Sequence, residues 1–229
     1  MIAGGGQDRR LLAPTLGPNE FREAFGVSRE TTDRLALYAR LLERWQKTIN
    51  LVAASTLPQL WHRHFADSAQ LVGLVPLART WIDLGSGAGF PGLVVAILLA
   101  QANRCEVTLV ESDTRKCAFL REVARQTGIA VDIVNARIES LSTQARIATV
   151  DVISARALAP LDGLLALSLP LFSRDTEALF LKGREVASEL EDARRHWSFE
   201  SACVPSLTDK NGHIVQVRAL RAKTEDATP

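Results

Sequence analysis

The chain has 229 residues, of which 47% are hydrophobic and 23% are charged, and its formal net charge is +1 at pH 7. These proportions are typical of a globular protein, and the length suits one large domain or a domain with a small extension. A net charge so close to zero excludes an overall positive field for binding nucleic acid, so any basic binding face must be local. The longest uncharged apolar run, residues 90–100, is too short to cross a bilayer and is typical of a buried helix.

Three cysteines, Cys105, Cys117 and Cys203, are odd in number and widely spaced. This spacing fits neither a zinc-ligand pattern nor a disulfide framework, so we expect buried, reduced thiols and no metal site. The first residues, MIAGGG, lack the basic and apolar regions of a signal peptide. Together these features predict a soluble, cytoplasmic protein.

The N-terminal third is predicted to be helical. Residues 1–18 contain three consecutive glycines and two prolines and are expected to form a flexible lead-in. From residue 19 to about residue 50, apolar side chains recur every three or four positions, which predicts an amphipathic helix with Ser28 as a candidate N-cap. A second helix is predicted over residues 58–75. We expect Trp45 and Trp61 to be core residues and residues 19–76 to form a helical cap.

Strands and helices alternate from residue 80 onward. The predicted strands cover residues 81–84, 106–111, 131–135, 151–155, 177–182, 198–204 and 213–220, and helices are predicted to begin near residues 90, 113, 138, 160 and 183. This alternation predicts an α/β fold with a mostly parallel sheet covered on both faces. The last two strands have no clear helix between them and predict a closing antiparallel hairpin. We expect this domain to span residues 77–221 and residues 222–229 to form a flexible tail.

A glycine-rich segment between the first strand and the next helix predicts a cofactor site. Residues 83–92 read DLGSGAGFPG, which places bare backbone N–H groups at the start of a helix, where a ligand can approach closely. Residues 87–92 match the dinucleotide fingerprint G-x-G-x-x-G. Residues 83–89 also match D-x-G-x-G-x-G, the loop of methyltransferases that use S-adenosylmethionine. Glu111, at the end of the second strand, can accept hydrogen bonds from ribose hydroxyls in either case.

Two features favour S-adenosylmethionine. Asp83 ends the first strand at the mouth of the loop, where a fixed carboxylate repels a pyrophosphate but attracts the ammonium and sulfonium groups of S-adenosylmethionine. The closing hairpin also suits a methyltransferase sheet better than a dehydrogenase sheet. A nicotinamide or flavin dinucleotide stays open as a second candidate cofactor, and a tight turn that holds no ligand stays open as a third interpretation.

The same segment resembles the signature of a known family. DLGSGAGFPG at residues 83–92 resembles the loop of the ribosomal RNA small-subunit methyltransferase G family, also called glucose-inhibited division protein B, whose Phe-Pro-Gly ending is distinctive. Four further segments resemble family motifs in the family's order: WQKTINL at residues 45–51, RHFADS at 63–68, SARALAPL at 154–161 and LKG at 181–183. Together these matches extend over about residues 35–185.

The resemblance implies a class I, Rossmann-like methyltransferase fold with a seven-stranded, mostly parallel sheet and a helical N-terminal extension. It implies transfer of a methyl group from S-adenosylmethionine to N7 of a guanine in small-subunit (16S) ribosomal RNA. The implied partner is this RNA, the small ribosomal subunit or an assembly intermediate. From the glycine loop, the strand ends and the resemblance together, the expected cofactor-binding residues are Asp83, Gly85, Gly87, Gly89, Phe90, Glu111, Ile138, Glu139 and Arg156.

Guanine N7 carries an in-plane lone pair and has no proton to lose, so the implied reaction depends on positioning and electrostatics, and we assign no catalytic acid or base. The positioning candidates are Arg63, His64, Asp67 and Lys182. An ion pair between Arg63 and Asp67, four residues apart, is an equal alternative for these two. For His64 we favour orientation of the cap against the core over a role as a base. We expect Lys182 to contact substrate, and Arg156 to contact the cofactor or a target phosphate rather than form a surface ion pair.

Other functions stay open at this point. The first is a methyltransferase of a small metabolite, the second is a dinucleotide-dependent oxidoreductase, and the third is a non-catalytic assembly factor that keeps a vestigial fold. The intact loop and Glu111 argue against the third. Arginines in the first third of the chain are interleaved with acidic residues, which is typical of a solvated helix face. The assignment of RNA as substrate therefore rests on the family resemblance.

Overall fold

The computed structural model describes residues 10–102, 105–143 and 150–223. The strands within these ranges are β1 (Thr80–Leu84), β2 (Glu106–Glu111), β3 (Asp132–Asn135), β4 (Val152–Arg156), β5 (Glu177–Lys182), β6 (Trp197–Pro205) and β7 (His213–Ala222). They form one sheet in the order β3–β2–β1–β4–β5–β7–β6. Strands β1 to β5 pair in parallel, and β7 runs antiparallel to both β5 and β6. The predicted mostly parallel sheet with a closing hairpin is confirmed, and each predicted strand end lies within two residues of the observed one.

Helices cover both faces of this sheet. They are α1 (Pro18–Phe25), α2 (Arg29–Gln46), α3 (Asp67–Ala69), α4 (Gly92–Leu99), α5 (Thr114–Thr127), α6 (Leu161–Ser168) and α7 (Val186–His196). The helix predicted to begin near residue 138 is present as the 3₁₀ helix Ile138–Thr143. In the part of the chain that the structure describes, no helix combines the length and the apolar character needed to span a membrane.

The single helix predicted from residue 19 to about residue 50 was wrong, because the chain forms two helices there. Gly26 ends α1 in the left-handed conformation, with φ of +61°. The Ser28 side chain then accepts a hydrogen bond from the Thr31 backbone N–H at 3.1 Å, so the predicted N-cap at Ser28 is confirmed at the start of α2. The left-handed Gly26 and the N-cap at Ser28 therefore separate α1 from α2. The sequence pattern did not show this break, because the spacing of apolar residues continues from α1 into α2.

The helix predicted over residues 58–75 was also wrong. The segment consists of the 3₁₀ helix Ala54–Gln59, the π-helix Trp61–Ala66, α3 and a final 3₁₀ turn, Val72–Leu74. Pro58 lies inside the first of these and cannot donate the backbone hydrogen bond that a regular helix needs there. The π-helix has a wider turn than an α-helix, so residues four apart in this segment do not share one face.

The helices predicted as a cap share one hydrophobic core with the sheet. Leu35 and Leu42 of α2 lie in the same buried cluster as Trp81 of β1 and Val152 of β4. The two tryptophans, predicted to be core residues, are half-buried and pack against the margin of this cluster. The Trp45 ring centroid lies 5.7 Å from that of Phe119, and the Trp61 centroid lies 4.9 Å from that of Phe65. A second buried cluster, under α6 and α7, fills the opposite face of the sheet.

Residues 1–9 and 224–229, which include half of the predicted lead-in and most of the predicted tail, lie outside the described residues. The described part of the lead-in contacts the rest of the protein. The Leu12 N–H donates to the Leu207 carbonyl at 2.8 Å, and the Thr15 N–H donates to His62 Nδ1 at 3.2 Å.

The three cysteines are free thiols. Their predicted burial is correct for Cys117 and wrong for Cys203, which is exposed on the edge strand β6, while Cys105 is half-buried.

Substitution in α2 tests whether the cap and the sheet unfold together. Leu42 is fully buried, so Leu42→Ala leaves a cavity and should lower the free energy of unfolding by about 2–5 kcal/mol. Leu77, with 89% of its surface exposed, provides the matched control, and Leu77→Ala should change this free energy by less than about 0.5 kcal/mol. Urea unfolding followed by circular dichroism should show one shifted transition for Leu42→Ala. A separate early transition for the helices would contradict the shared core.

Candidate active site

A cavity of about 810 Å³ opens at the carboxyl ends of the parallel strands. Gly85 follows β1, while Glu111, Arg156 and Lys182 are the last residues of β2, β4 and β5, and all four line the cavity. Ligands of open α/β sheets bind at this edge, because the connections diverge there and the helix N-termini point toward it. The sheet order places the ends of β2 and β3 on one side of β1 and the ends of β4, β5 and β7 on the other. The cavity therefore has a β2–β3 side and a β5–β7 side.

The glycine loop forms the floor between the two sides. Gly85, Gly87 and Gly89 have φ angles of +65°, +57° and +97°, a region that side chains with a Cβ rarely occupy. A Cβ on Gly87 would have no protein atom nearer than 3.8 Å, so the space beside this backbone is open. Gly92, at the start of α4, is required for packing, since its Cβ would lie 2.4 Å from Leu109 Cδ2. The loop is therefore open toward the cavity and tightly packed beneath it.

Glu111 anchors the β2–β3 side. Its Oε2 accepts a hydrogen bond from the Gly87 N–H and its Oε1 accepts one from the Asp113 N–H, both at 2.8 Å. An ionised carboxylate has about four acceptor positions, so each oxygen can still accept a hydrogen bond from a ligand hydroxyl. Ile138 and Glu139, which follow β3, line the same side. Ile138 and Glu139 therefore place an apolar and an acidic side chain beside one another on the β2–β3 side of the cavity.

Asp83, expected from the sequence to contact the cofactor, lies beneath the loop and does not line the cavity. The side chain is fully buried, and its Oδ1 accepts a hydrogen bond from the Ser154 hydroxyl at 2.7 Å. Ser154 in turn accepts one from Trp81 Nε1 at 2.9 Å, and Asp83 Oδ2 has no partner among the described residues. Burial raises the pKa of Asp83 to about 6, although the Ser154 hydrogen bond opposes the shift. At neutral pH the site therefore has a buried negative charge under its floor.

Arg156 joins β4 to the segment before α3. Its guanidinium donates to His64 Nδ1 at 2.6 Å and to the Arg63 carbonyl at 3.0 Å, and it lies 3.4 Å from Asp67 Oδ2. The same group sits over the Phe90 ring, 5.0 Å from its centroid. Arg156 therefore connects the glycine loop to the cap while still lining the cavity.

The alternative of an ion pair between Arg63 and Asp67 was wrong. Arg63 pairs with Asp209 in the β6–β7 loop at 3.1 Å, and Asp67 pairs with Arg156. Asp67 Oδ1 also accepts a hydrogen bond from the Thr208 hydroxyl at 2.7 Å. The π-helix separates residues that an α-helix would bring together, and both side chains reach other elements instead.

His64 is held neutral. Because its Nδ1 accepts from Arg156, the ring proton sits on Nε2, which donates to the Thr56 hydroxyl at 2.9 Å. Burial, followed by the charges of Arg156 and Arg63, lowers the pKa of His64 to about 3. The ring also packs on Phe90, with 4.8 Å between centroids. Both nitrogens are occupied, so this geometry matches the predicted orienting role and leaves no lone pair for a base.

Lys182 is fixed on the β5–β7 side. Its Nζ lies 2.5 Å from Glu189 Oε2 of α7 and donates to the Ala159 carbonyl at 3.0 Å. Glu189 Oε2 also accepts from the Leu161 N–H at 2.6 Å, at the start of α6. An ammonium group has three donors, so one N–H of Lys182 stays available to a ligand.

The structure brings most of the predicted site residues together. The predicted residues that line the cavity are Arg63, His64, Asp67, Gly85, Gly87, Phe90, Glu111, Ile138, Glu139, Arg156 and Lys182, whereas Asp83 and Gly89 lie outside its wall. Sequence reasoning missed Lys116, Leu158 and Glu189, which also line it. Leu158 lies within the SARALAPL segment but was not singled out there, and no quoted motif contains Lys116 or Glu189, which reach the cavity from α5 and α7. Among the described residues, no cluster of His, Cys, Asp and Glu is arranged to hold a metal ion.

The neutral state of His64 predicts a pH dependence of stability. Below about pH 6.5 the unfolded chain binds a proton at this residue and the folded protein does not, so folding loses free energy as the pH falls toward 3. His64→Gln removes this titration. The stability advantage of wild type over the variant, measured by urea unfolding, should shrink by about 2 kcal/mol between about pH 7.5 and pH 5. It should stay constant above about pH 7.5, and a constant difference down to pH 5 would contradict the assignment.

Comparison with solved structures identifies the fold. A putative O-methyltransferase from Klebsiella pneumoniae is similar with a TM-score of 0.59 and 15% identity, covering 88% of this chain and 96% of that one. A methyltransferase from Geobacter sulfurreducens gives a TM-score of 0.57 at 14% identity, covering 84% and 93%. A point mutant of MtNAS in complex with S-adenosylmethionine gives 0.54 at 16% identity, covering 90% and 85%. The predicted class I methyltransferase fold is confirmed.

Sequence comparison identifies the family. A family model described as rRNA small subunit methyltransferase G matches residues 31–218. Proteins named Ribosomal RNA small subunit methyltransferase G from Parvibaculum lavamentivorans and Paramagnetospirillum magneticum are 53% and 50% identical to this chain. The first alignment covers 87% of this chain and 88% of that protein, and the second covers 90% and 97%. The family resemblance found in the sequence is confirmed, and the chain belongs to the rRNA small subunit methyltransferase G family.

Proposed function

We propose that this protein transfers the methyl group of S-adenosylmethionine to N7 of a guanine in 16S ribosomal RNA. The observation that carries the proposal is the composition of one cavity in a chain of this family. Glu111, Ile138 and Glu139 form its β2–β3 side, Lys182 and the β6–β7 loop form its β5–β7 side, and the glycine loop forms the floor between them. The first side suits a nucleoside cofactor, and the second leaves room for a base.

The residues of the β2–β3 side fit S-adenosylmethionine. Glu111 presents acceptors for ribose hydroxyls, Ile138 offers an apolar contact for an adenine ring, and the open space beside Gly87 admits a ligand against the backbone. We propose that Gly85, Gly87, Phe90, Glu111, Ile138, Glu139 and Arg156 bind the cofactor, all of which line the cavity. The buried Asp83 carboxylate acts from beneath the loop, favouring a cationic ligand and disfavouring a pyrophosphate.

When bound, S-adenosylmethionine supplies a methyl group activated by a positively charged sulfur. The protein has to hold guanine N7 in line with this methyl group and to exclude water. N7 carries no proton, so the occupied nitrogens of His64 are compatible with this reaction, whereas a substrate N–H or O–H would need a base. Asp67 and Asp209 line the cavity, and a carboxylate beside the bound base would stabilise the positive charge that the base gains on methylation.

Lys182 is our candidate for recognition of the guanine. In guanine the O6 acceptor lies beside N7, whereas adenine carries an amino donor at the equivalent position. The free N–H of Lys182 can donate to O6, and its other two donors are held by Ala159 and Glu189. Arg63, which is tied to the β6–β7 loop, is positioned to hold the rim on this side.

The same proposal makes RNA the binding partner of this protein. Lys116 and Arg137 line the cavity and form no ion pair among the described residues, so they can meet RNA phosphates locally although the net charge is only +1. We propose that the substrate is presented as 16S RNA within the small subunit or an assembly intermediate, and that the protein works in the cytoplasm, where this RNA resides. We further propose residues 19–76 as a cap and residues 77–221 as the catalytic domain.

Methyl transfer in vitro tests this function. Purified protein with radiolabelled S-adenosylmethionine and small subunits from cells that lack the gene should label 16S RNA, and digestion should release the label as 7-methylguanosine.

Glu111→Gln should weaken S-adenosylmethionine binding by about tenfold or more. The substitution replaces one carboxylate oxygen, which accepts hydrogen bonds from the loop and can accept them from the ribose, with an amide group that donates.

Glu122→Gln is the matched control, since Glu122 pairs with Arg125 on α5 and does not line the cavity. Its affinity for S-adenosylmethionine should equal that of wild type. Absence of label from RNA, together with methylation of free nucleosides or metabolites, would contradict the RNA assignment. Binding of NADH in place of S-adenosylmethionine would contradict the cofactor assignment.

A further inference from the structure

Tyr38 reaches the glycine loop from the N-terminal cap. It lies on α2, it is fully buried, and it is the one tyrosine in the 229-residue sequence. Its hydroxyl donates a hydrogen bond to the Ala88 carbonyl, at the centre of the loop. Its ring stacks on Phe90, with 5.5 Å between centroids and 18° between planes. A residue fifty positions upstream in the sequence therefore contacts the floor of the cavity.

The Tyr38 hydroxyl contributes a directed hydrogen bond in addition to packing. The aromatic packing around Phe90 needs only a ring, and a phenylalanine at position 38 would provide it. The polar atom is instead aimed at a backbone carbonyl, and a buried carbonyl that loses its donor is costly. The contact is also tight, because a Cβ on Gly89 would lie 2.6 Å from the Tyr38 hydroxyl oxygen. The hydroxyl thus fixes both the orientation of the Ala88 peptide and the space beside Gly89.

The loop is held from two directions. On the β2 side, Glu111 accepts a hydrogen bond from the Gly87 N–H. On the cap side, Tyr38 donates to Ala88, the next residue. Three glycines with positive φ give this segment many alternative conformations when it is not restrained. Two restraints on adjacent residues select the conformation in which Gly85 and Gly87 face the cavity.

We propose that Tyr38 is a positioning residue for the cofactor: its hydroxyl holds the glycine loop in the conformation that binds S-adenosylmethionine. The proposal rests on the proposed function, which names the ligand. It makes the N-terminal cap part of the cofactor site, although Tyr38 does not itself line the cavity. A restraint of this kind acts on cofactor affinity, whereas the chemical step with cofactor bound is largely unaffected.

Tyr38→Phe removes the hydroxyl and keeps the ring. We expect S-adenosylmethionine to bind about tenfold more weakly by calorimetry, with kcat at saturating cofactor within about twofold of wild type. Thr127→Val is the matched control. It removes a buried hydroxyl on α5 that donates to the Val123 carbonyl at 2.7 Å, and Thr127 does not line this cavity. The control should lose stability and keep the wild-type affinity.

A spectroscopic measurement on the wild-type protein covers the case in which Tyr38→Phe fails to fold. Tyrosine labelled with ¹³C at Cζ gives one resonance, since the chain has a single tyrosine. S-adenosylmethionine should shift this resonance, because the hydroxyl contacts the loop that the ligand orders. Equal affinities of wild type and folded Tyr38→Phe would overturn the inference, as would an unmoved resonance in saturated wild type. Failure of wild type itself to bind S-adenosylmethionine would instead overturn the proposed function, and the two failures are distinguishable.

Discussion

Phe90 is the residue on which the architecture of this site depends. Its ring is buried at the end of the glycine loop, stacks on Tyr38 from α2, packs against His64 and lies beneath the Arg156 guanidinium. Glycines give the loop the freedom to turn tightly but supply no side chains to hold it, so its conformation has to be fixed by neighbours. The sheet provides Glu111 of β2 and Arg156 of β4, and the N-terminal helices provide Tyr38 and His64. The cap is therefore part of the site and shares its core with the sheet.

The same arrangement constrains the chemistry. Arg156 is occupied by His64, Asp67 and the Arg63 carbonyl. Burial, together with the charge of Arg156, keeps His64 neutral, and Thr56 occupies its second nitrogen. His64 and Asp67 are thereby committed to holding the cap against β4. Methylation of guanine N7 needs no base. A site whose polar side chains hold the structure in place, and do not transfer protons, is therefore suited to this reaction. Lys182 is likewise held in place on the β5–β7 side of the cavity, by its ion pair with Glu189.

The sequence predicted the sheet well because strand burial produces local patterns. Apolar runs that end in Asp83, Glu111 and Lys182 mark the carboxyl ends of β1, β2 and β5 without reference to the rest of the chain. The segment from residue 54 to residue 74 was predicted poorly, because its mixture of 3₁₀, π and α turns is set by contacts with β4 and the β6–β7 loop. The location of Asp83 beneath the loop follows from the approach of Ser154 on β4, and the role of Tyr38 follows from α2 crossing the loop. Both depend on neighbours distant in sequence, which a one-dimensional pattern does not specify.

We propose that this protein methylates N7 of a guanine in 16S ribosomal RNA. Nucleoside mass spectrometry of 16S RNA, from cells with and without the gene, tests it most directly because it reads out substrate, position and reaction together. We predict the loss of one 7-methylguanosine on deletion and its return when the wild-type gene is restored. A 7-methylguanosine content that is the same in both strains would contradict the account.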